Sequence, residues 1–563
     1  MQPYWQSAEK RTAWRLLVFV LVAEASQLTL ITSFTFVNAA LFDALDARQA
    51  EDAWRATAMW FGVLFSSIVV TVIQVHVQQK LIIHWRRFLT ERYLTRYLDA
   101  HLYNQLELGD YELDNPDQRI SMDMLNITQE TLELGLNFLT TFGRLIVFSG
   151  VLWVVSGPLE FSVLGVDVVI PGYMFWVAVV YAVVGTWLTH RLAHPMAALN
   201  FQKQAVEADF RYQLVRLREN AESIALIGGE AKEHDTFNKK FTGIWDNWMV
   251  LLKYKKRLTA FTEALTRTSS VLPYLVAIPA LLAGTIAIGG FMQLGVAFGV
   301  VQTSLAWFAT SYEKIAIWKS SVDRVLSFDD ALGAASAEQA DSLIARQPSS
   351  GDDFELKGLT LNLPNGDPLL ENSGVRFEPG QDVLISGPSG SGKTTLFRLF
   401  SGLWIWGNGD VRIPQGKVMF LPQKPYLPIG TLRDVLTYPN QEEAGVSTAK
   451  LHEIMRTCRL EKFIDRLDEV CDWSRILSGG EQQRVSFVRV FLARPDWLFL
   501  DEATAAMDPG TESALYSALK LELPNTTIVS IAHRPSLRKH HDLQIKLEPG
   551  NLSLSSTPIA SGH

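Results

Sequence analysis

Three short strings in the last third of the chain hold residue types suited to phosphate chemistry. Gly387-Pro388-Ser389-Gly390-Ser391-Gly392-Lys393-Thr394-Thr395 follows the apolar run Asp382-Val-Leu-Ile-Ser386 and precedes Leu396-Phe-Arg-Leu-Phe400. The run predicts a buried strand and the following segment a helix. Glycines at such a junction let backbone N–H groups converge on phosphate oxygens, where the helix N-terminus also favours negative charge. Lys393 is then placed to reach the β- and γ-phosphates of ATP, and Thr394 to set its hydroxyl on Mg²⁺. A plain Gly/Ser-rich turn would not need the lysine, the hydroxyl and both flanks together.

The second string, Trp497-Leu-Phe-Leu-Asp501-Glu502, predicts a buried strand ending in two carboxylates. Asp501 suits Mg²⁺ held through water, and Glu502 suits the base that polarises an attacking water. Alone this would be a weak signal. Just before it stands Leu477-Ser478-Gly479-Gly480-Glu481-Gln482. Ser478 and the amides that open a predicted helix over 481–492 make another anion site.

Composition frames these strings. The 563 residues are enough for two or three domains, 48% of them are hydrophobic, and the net charge is −8. Mean hydropathy is +0.10, high for a soluble protein and low for a pure membrane bundle. Charges of both signs are spread along the chain, so nothing favours nucleic acid as a partner. Cys458 and Cys471 lie in the phosphate-binding segment and read as reduced thiols, with no metal-ligand spacing.

Six apolar stretches occupy the first part of the chain, near 15–38, 58–79, 136–156, 172–190, 268–289 and 291–311. Each approaches the roughly 20 residues that cross a bilayer as a helix. Met59-Trp-Phe-Gly-Val-Leu-Phe-Ser-Ser-Ile-Val-Val70 has no polar face, which argues against a soluble core helix. Arg86, Arg87, Arg92 and Arg96 follow span two, and Lys253, Lys255, Lys256 and Arg257 lie in the long connector after span four. The positive-inside rule puts those loops and both termini in the cytoplasm. Both loops read as helices that run on and double back, with tips near 114–119 and 224–230. Residues 327–353, rich in Ala, Ser, Asp and Gln, read as a linker, and 549–563 as a flexible tail. Glu24 lies inside span one, where a carboxylate is costly. It is expected to face a cavity, meeting cationic cargo or exchanging a proton, or else to sit near the outer interface or pair with a cation such as Arg144.

The three strings together resemble the nucleotide-binding domain of ABC transporters. The resemblance implies an all-α six-helix transmembrane domain of exporter-like fold at 1–326, then an α/β P-loop ATPase domain at 354–548. It assigns Gln423 to the glutamine loop as a Mg²⁺ and water contact. It assigns Asp508, in Ala505-Ala-Met-Asp508, to the loop between the two nucleotide sites, and His533 to the switch that reads the γ-phosphate. Ser478, Gly479, Gly480 and Glu481 become the signature that closes on the ATP of a partner chain. One copy per chain therefore implies a homodimer. Leu363 stands where the family often stacks an aromatic residue on adenine.

Asn115-Pro-Asp-Gln-Arg119, Glu207-Ala-Asp-Phe-Arg211, Pro422-Gln-Lys-Pro-Tyr426 and Asp472-Trp-Ser-Arg-Ile-Leu-Ser-Gly-Gly480 are similar to one group. It holds the YddA-like and SbmA/BacA-like proteins and is related to the peroxisomal fatty-acyl (subfamily D) transporters. The group implies a multi-pass protein of the bacterial inner membrane, with its ATPase domain cytoplasmic. It would move peptide-like, cobalamin-like or other hydrophilic or amphipathic solutes across the bilayer, inward. The alternatives are a fatty acyl-CoA or lipid exporter, and a membrane ATPase that gates or signals without cargo.

Overall fold

The computed structural model describes residues 2–111, 115–163, 166–349, 351–388, 390–439, 446–548 and 551–558. The chain divides into two compact units. One comprises Met1–Leu94 and Asn115–Ser327, the other Thr95–Asp114 and Phe328–His563.

The helical part runs α1 (Gln2–Trp5), α2 (Lys10–Asp46), α3 (Ala50–Leu98), α4 (Leu102–Leu108), α5 (Pro116–Gln118) and α6 (Met124–Ser156). An antiparallel hairpin, β1 (Pro158–Val163) with β2 (Val166–Pro171), comes next. Then follow α7 (Tyr173–Glu219), α8 (Ala221–Ile227), α9 (Glu230–Leu282), α10 (Ile288–Leu305) and α11 (Trp307–Ala340). Among the described residues, six helical stretches are long and apolar enough to cross a membrane. In the first unit, Leu294, Ala297, Phe298 and Val301 of α10 repeat at helical spacing and pack with Phe148 and Leu152 of α6 and Met174 and Ala178 of α7. Phe61, Phe65, Ile68 and Val72 of α3 remain exposed. That surface would be costly in water and suits hydrocarbon, where a helix satisfies its own backbone.

Several expectations change at this level. The sequence places span five up to 289, close against span six. Instead α9 ends at Leu282 and the chain turns through 283–287, with Gly284 at φ +73°. The hairpin after α6 has no counterpart in the sequence reading. Glu24 does not pair with Arg144: it accepts from Gln74 Nε2 at 2.6 Å and Thr140 Oγ1 at 2.8 Å. Gln27, one turn on, donates to the Ser67 carbonyl at 2.7 Å and to Thr71 Oγ1 at 2.6 Å. Groups on other helices thus satisfy Glu24 and Gln27.

The stretch 327–353 is not a loose linker. α11 continues to Ala340, because Phe328, Leu332 and Ala335 form a buried stripe and Ala, Glu and Gln are good helix formers. β3 (Leu343–Pro348) then pairs in parallel with β7 (Gly407–Ile413). Arg346 caps the end of α12 (Lys393–Ser401) by donating to the carbonyls of Leu399 and Phe400 at 2.6 and 2.9 Å. Nor is 549–563 all tail: β14 (Asn551–Pro558) pairs antiparallel with β13 (Leu543–Glu548). Residues 549–550 and 559–563 lie outside the described residues.

The second unit is built on two sheets. One has the order β3-β7-β4-β5, with β4 at Phe354–Asn362 and β5 at Pro368–Phe377. The other has the order β14-β13-β6-β12-β11-β8. Its strands are β6 (Val383–Ser386), β8 (Val418–Leu421), β11 (Trp497–Asp501) and β12 (Thr527–Ile531), all parallel, with β13 and β14 at one edge. β11 and β12 are buried along their whole length, as parallel strands covered on both faces must be. A short pair, β9 (Gly430–Thr431) and β10 (Val470–Cys471), lies apart. Helices α13 (Leu432–Thr437), α14 (Thr448–Thr457), α15 (Trp473–Ile476), α16 (Gly479–Ala493) and α17 (Pro509–Glu522) complete the unit. Cys458 and Cys471 are both free.

Candidate nucleotide site

The glycine loop leaves the C-terminal end of β6 and opens α12 at Lys393. Gly390 and Gly392 sit at φ +81° and +85°, a region that favours glycine. A Cβ on Gly387 would stand 2.4 Å from the Leu547 carbonyl oxygen, so no side chain fits there. Ser389 lies outside the described residues. Ser391 Oγ is buried and has no partner among the described residues, an orphan consistent with a loop shaped for an oxyanion. Lys393 is 7% exposed, and its Nζ donates to the carbonyls of Gly387 at 2.9 Å and Pro388 at 2.6 Å. Burial lowers its pKa, against the pull of Glu502 and Asp501. Thr394 and Thr395 lie in the first turn of α12, which aims backbone N–H groups at the loop.

β11 delivers Asp501 in register with Ile531 of β12, at the carboxyl ends of parallel strands where ligands bind in such sheets. Asp501 is 7% exposed, and burial, then the neighbouring Glu502 charge, raises its pKa. The chain turns sharply there. Glu502 has φ +47°, and its N–H donates to the Ile531 carbonyl at 2.9 Å. A non-glycine residue held in that region costs on the order of 1 kcal/mol or more, and such strain gathers at functional sites. Gln423 Nε2 donates to Glu502 Oε2 at 2.9 Å, and His533 Nε2 lies 3.1 Å from Glu502 Oε1. Gln423 and His533 thus meet on the Glu502 carboxylate, whose charge reaches Lys393 of the glycine loop.

Ser478 caps α16 through a reciprocal box with Glu481. Glu481 Oε2 accepts from Ser478 N–H at 2.8 Å and from Ser478 Oγ at 2.9 Å, and its other oxygen pairs with Lys462. Burial opposes ionisation, yet the bonds from Lys462 and Ser478 outweigh it and hold the carboxylate below its ordinary range. Glu481 therefore shapes the helix end, with its carboxylate already engaged. Gly480 lies against Ala506: an added Cβ would be 2.8 Å from the Ala506 carbonyl oxygen. Among the described residues, Ser478 forms no hydrogen bond with the glycine loop. Asp508 caps α17, accepting from Thr511 N–H at 2.9 Å, and the bonds from Thr511 lower its pKa. Leu363 donates its N–H to Asp367 at 2.8 Å and packs on the core of this unit, while neighbouring Leu369 lies against Gly392.

Sequence reading passed over three residues. Gln483 is 5% exposed and its amide bridges three segments around Glu502. Arg534, next to His533, donates to the carbonyls of Met507 and Ala505, both at 2.8 Å. Buried Glu512 accepts from Thr504 Oγ1 at 2.6 Å and Ser536 Oγ at 3.0 Å. The available signals were Gln483's place just after the Leu477–Gln482 string and Arg534's adjacency to His533; nothing in the sequence marked Glu512.

Comparison with known proteins agrees with this geometry. Residues 3–282 match the family described as ABC transporter transmembrane region 2, and residues 370–505 match ABC transporter. The chain is 30% identical over 541 residues to the inner membrane ABC transporter ATP-binding protein YddA of Escherichia coli, covering 95% of this chain and 94% of that protein. It is 30% identical over 611 residues to the chloroplastic ABC transporter D family member 2 of Arabidopsis thaliana, covering 96% and 84%. It is 28% identical over 513 residues to the lysosomal cobalamin transporter ABCD4 of Mus musculus, covering 84% and 81%. The fold matches that of a bacterial Atm1-family ABC exporter solved with ATP bound, at TM-score 0.68 and 18% identity over 98% of this chain and 95% of that one. With a membrane region and an ATP-hydrolysing domain on one polypeptide, the chain belongs to the ABC transporter family and moves solutes with ATP.

Proposed function

We infer that two copies of the chain form an importer of peptide-like, cobalamin-like or other hydrophilic or amphipathic solutes in the bacterial inner membrane, with the ATPase units in the cytoplasm. The observation that carries the hydrolytic part is the meeting of Gln423 and His533 on Glu502 beside the glycine loop. One copy of each string per chain supports the dimer, since Ser478 would serve the ATP held by the partner. The relatives named for the inner membrane and for cobalamin support the location and the cargo class.

In this reading the backbone N–H groups of 390–395 and the Lys393 side chain bind the phosphates. Glu502 takes the proton of the attacking water while Gln423 and His533 fix the carboxylate's orientation. The donor set fits a magnesium ion: Thr394 offers a hydroxyl, Asp501 a carboxylate and Gln423 an amide oxygen, all hard oxygens. When bound, Mg²⁺ neutralises charge on the phosphate oxygens. Asp508 shapes the loop between the two sites. The loop tips near 114–119 and 224–230 serve as coupling helices.

The test is transport in proteoliposomes. Labelled peptide or cobalamin should move from the opposite side into the compartment that holds the ATPase units when ATP is supplied there. Efflux of acyl-CoA, or ATP turnover without movement of any of the three, would replace this reading.

A further inference from the structure

Gln483 lies in the second turn of α16, one residue beyond a half-buried neighbour that behaves quite differently. Gln482 bonds locally, to the carbonyls of Ser474 at 2.7 Å and Leu477 at 3.0 Å. Gln483 is 5% exposed and reaches outward from its helix. Its Nε2 donates to the main-chain carbonyl of Gln423 at 3.1 Å and to that of Glu502 at 3.4 Å. Its Oε1 accepts from the N–H of Ala506 at 2.9 Å. The three partners come from three segments: the loop after β8, the end of β11 and the loop before α17.

Those two carbonyls belong to the same residues whose side chains bond each other at 2.9 Å. One amide group thus ties the backbones of Gln423 and Glu502 together, and the side-chain contact follows from that spacing. The need is plain at Glu502, whose φ of +47° persists only if its surroundings over-determine it. The third bond extends the tie to the 505–507 loop, which Arg534 grips from the other side through the carbonyls of Ala505 and Met507.

The geometry points to Gln483 as a positioning residue for ATP hydrolysis: its amide sets the Gln423–Glu502 spacing and links it to the 505–507 loop. The inference rests on the reading of Glu502 as the base. A buried glutamine could also be present only to satisfy buried polar groups. The two roles differ in what they move. Misplacing a reacting group by about 1 Å costs roughly 10²-fold in rate without weakening nucleotide binding.

The experiment uses the full chain in nanodiscs. Gln483→Glu keeps the shape and the acceptor for Ala506 but removes both donations, and Gln483→Met keeps only the bulk. Phosphate release, binding of a fluorescent ATP analogue and the unfolding midpoint are measured, with Glu502→Gln alongside. We expect Gln483→Glu to lose roughly 10- to 100-fold in kcat while KM and analogue affinity change little. A buried carboxylate facing two carbonyl oxygens should also lower the unfolding midpoint, so kcat is compared in the folded fraction, well below that midpoint. Unchanged kcat in either variant, or a lowered midpoint with kcat preserved in the folded fraction, overturns the inference. If Glu502→Gln is inactive while Gln483→Glu is active, only the positioning role is lost. If Glu502→Gln hydrolyses ATP at the parent rate, the base is misassigned and the inference fails with it.

Discussion

Gln423 and Glu502 are 79 residues apart in sequence, yet their side chains share a hydrogen bond of 2.9 Å. The amide is the donor, so the carboxylate keeps its second oxygen for His533 on one side and for water on the other. Glu502→Gln preserves size and removes the base. Turnover should fall by about 10²-fold or more while ATP binding persists. Phosphate release and nucleotide binding on the same preparation check this; unchanged steady-state hydrolysis would sink the assignment.

Ser478→Arg tests the composite site. The serine's cap bonds would be lost and a bulky cation would stand at the start of α16. Hydrolysis should disappear while each chain alone still binds nucleotide through its glycine loop. Full activity of the homogeneous variant would rule out a sandwich of two chains around ATP.

Glu24 is the acceptor for Gln74 and Thr140. Glu24→Leu leaves Gln74 without this acceptor, while Thr140 Oγ1 keeps the Leu136 carbonyl at 2.8 Å; the change should cost about 1–3 kcal/mol. Glu24→Gln retains an acceptor and should cost less. Unfolding midpoints in detergent distinguish them, and equal midpoints would show that the contact carries no stability. Uptake by Glu24→Gln, measured over a range of pH, tests a role in cargo or proton movement separately.

His541 gives the ATPase unit a defined response to acid. Its Nδ1 lies 2.8 Å from the Leu537 carbonyl, an acceptor only, so that nitrogen carries the proton and Nε2 accepts from Ser530 Oγ at 2.8 Å. Burial, aided by the charges of His540 and Lys520, pushes the pKa from 6.5 down to about 4. The folded state therefore disfavours protonation. The stability this provides is full above pH 6.5 and is lost as pH falls toward 4, amounting to about 3 kcal/mol at most. The unfolding midpoint should drop between pH 7 and 5, and His541→Gln should flatten that slope. An identical slope in the variant would refute the linkage.

The glycine loop, the buried strand before Asp501 and the cap at Ser478 were legible because each is a local pattern, with flanks that agree. The six apolar stretches were legible for the same reason. What escaped depends on register or on long-range contact. Residues 327–353 look like spacer by composition, and only the burial of Phe328, Leu332 and Ala335 explains why α11 runs on. β14 gains its order from pairing with β13, which no feature of its own small polar residues announces. Gln483 is one glutamine beside another, and its partners become visible only when three loops are brought together.

The positive φ at Glu502 puts folding and turnover in competition at one position. Glycine would relax the backbone there, and asparagine would tolerate it better than glutamate. A library selected only for heat resistance would drift toward those residues at 502 and lose hydrolysis without losing its shape. The glutamate is retained by its chemistry, against the preference of the chain that carries it.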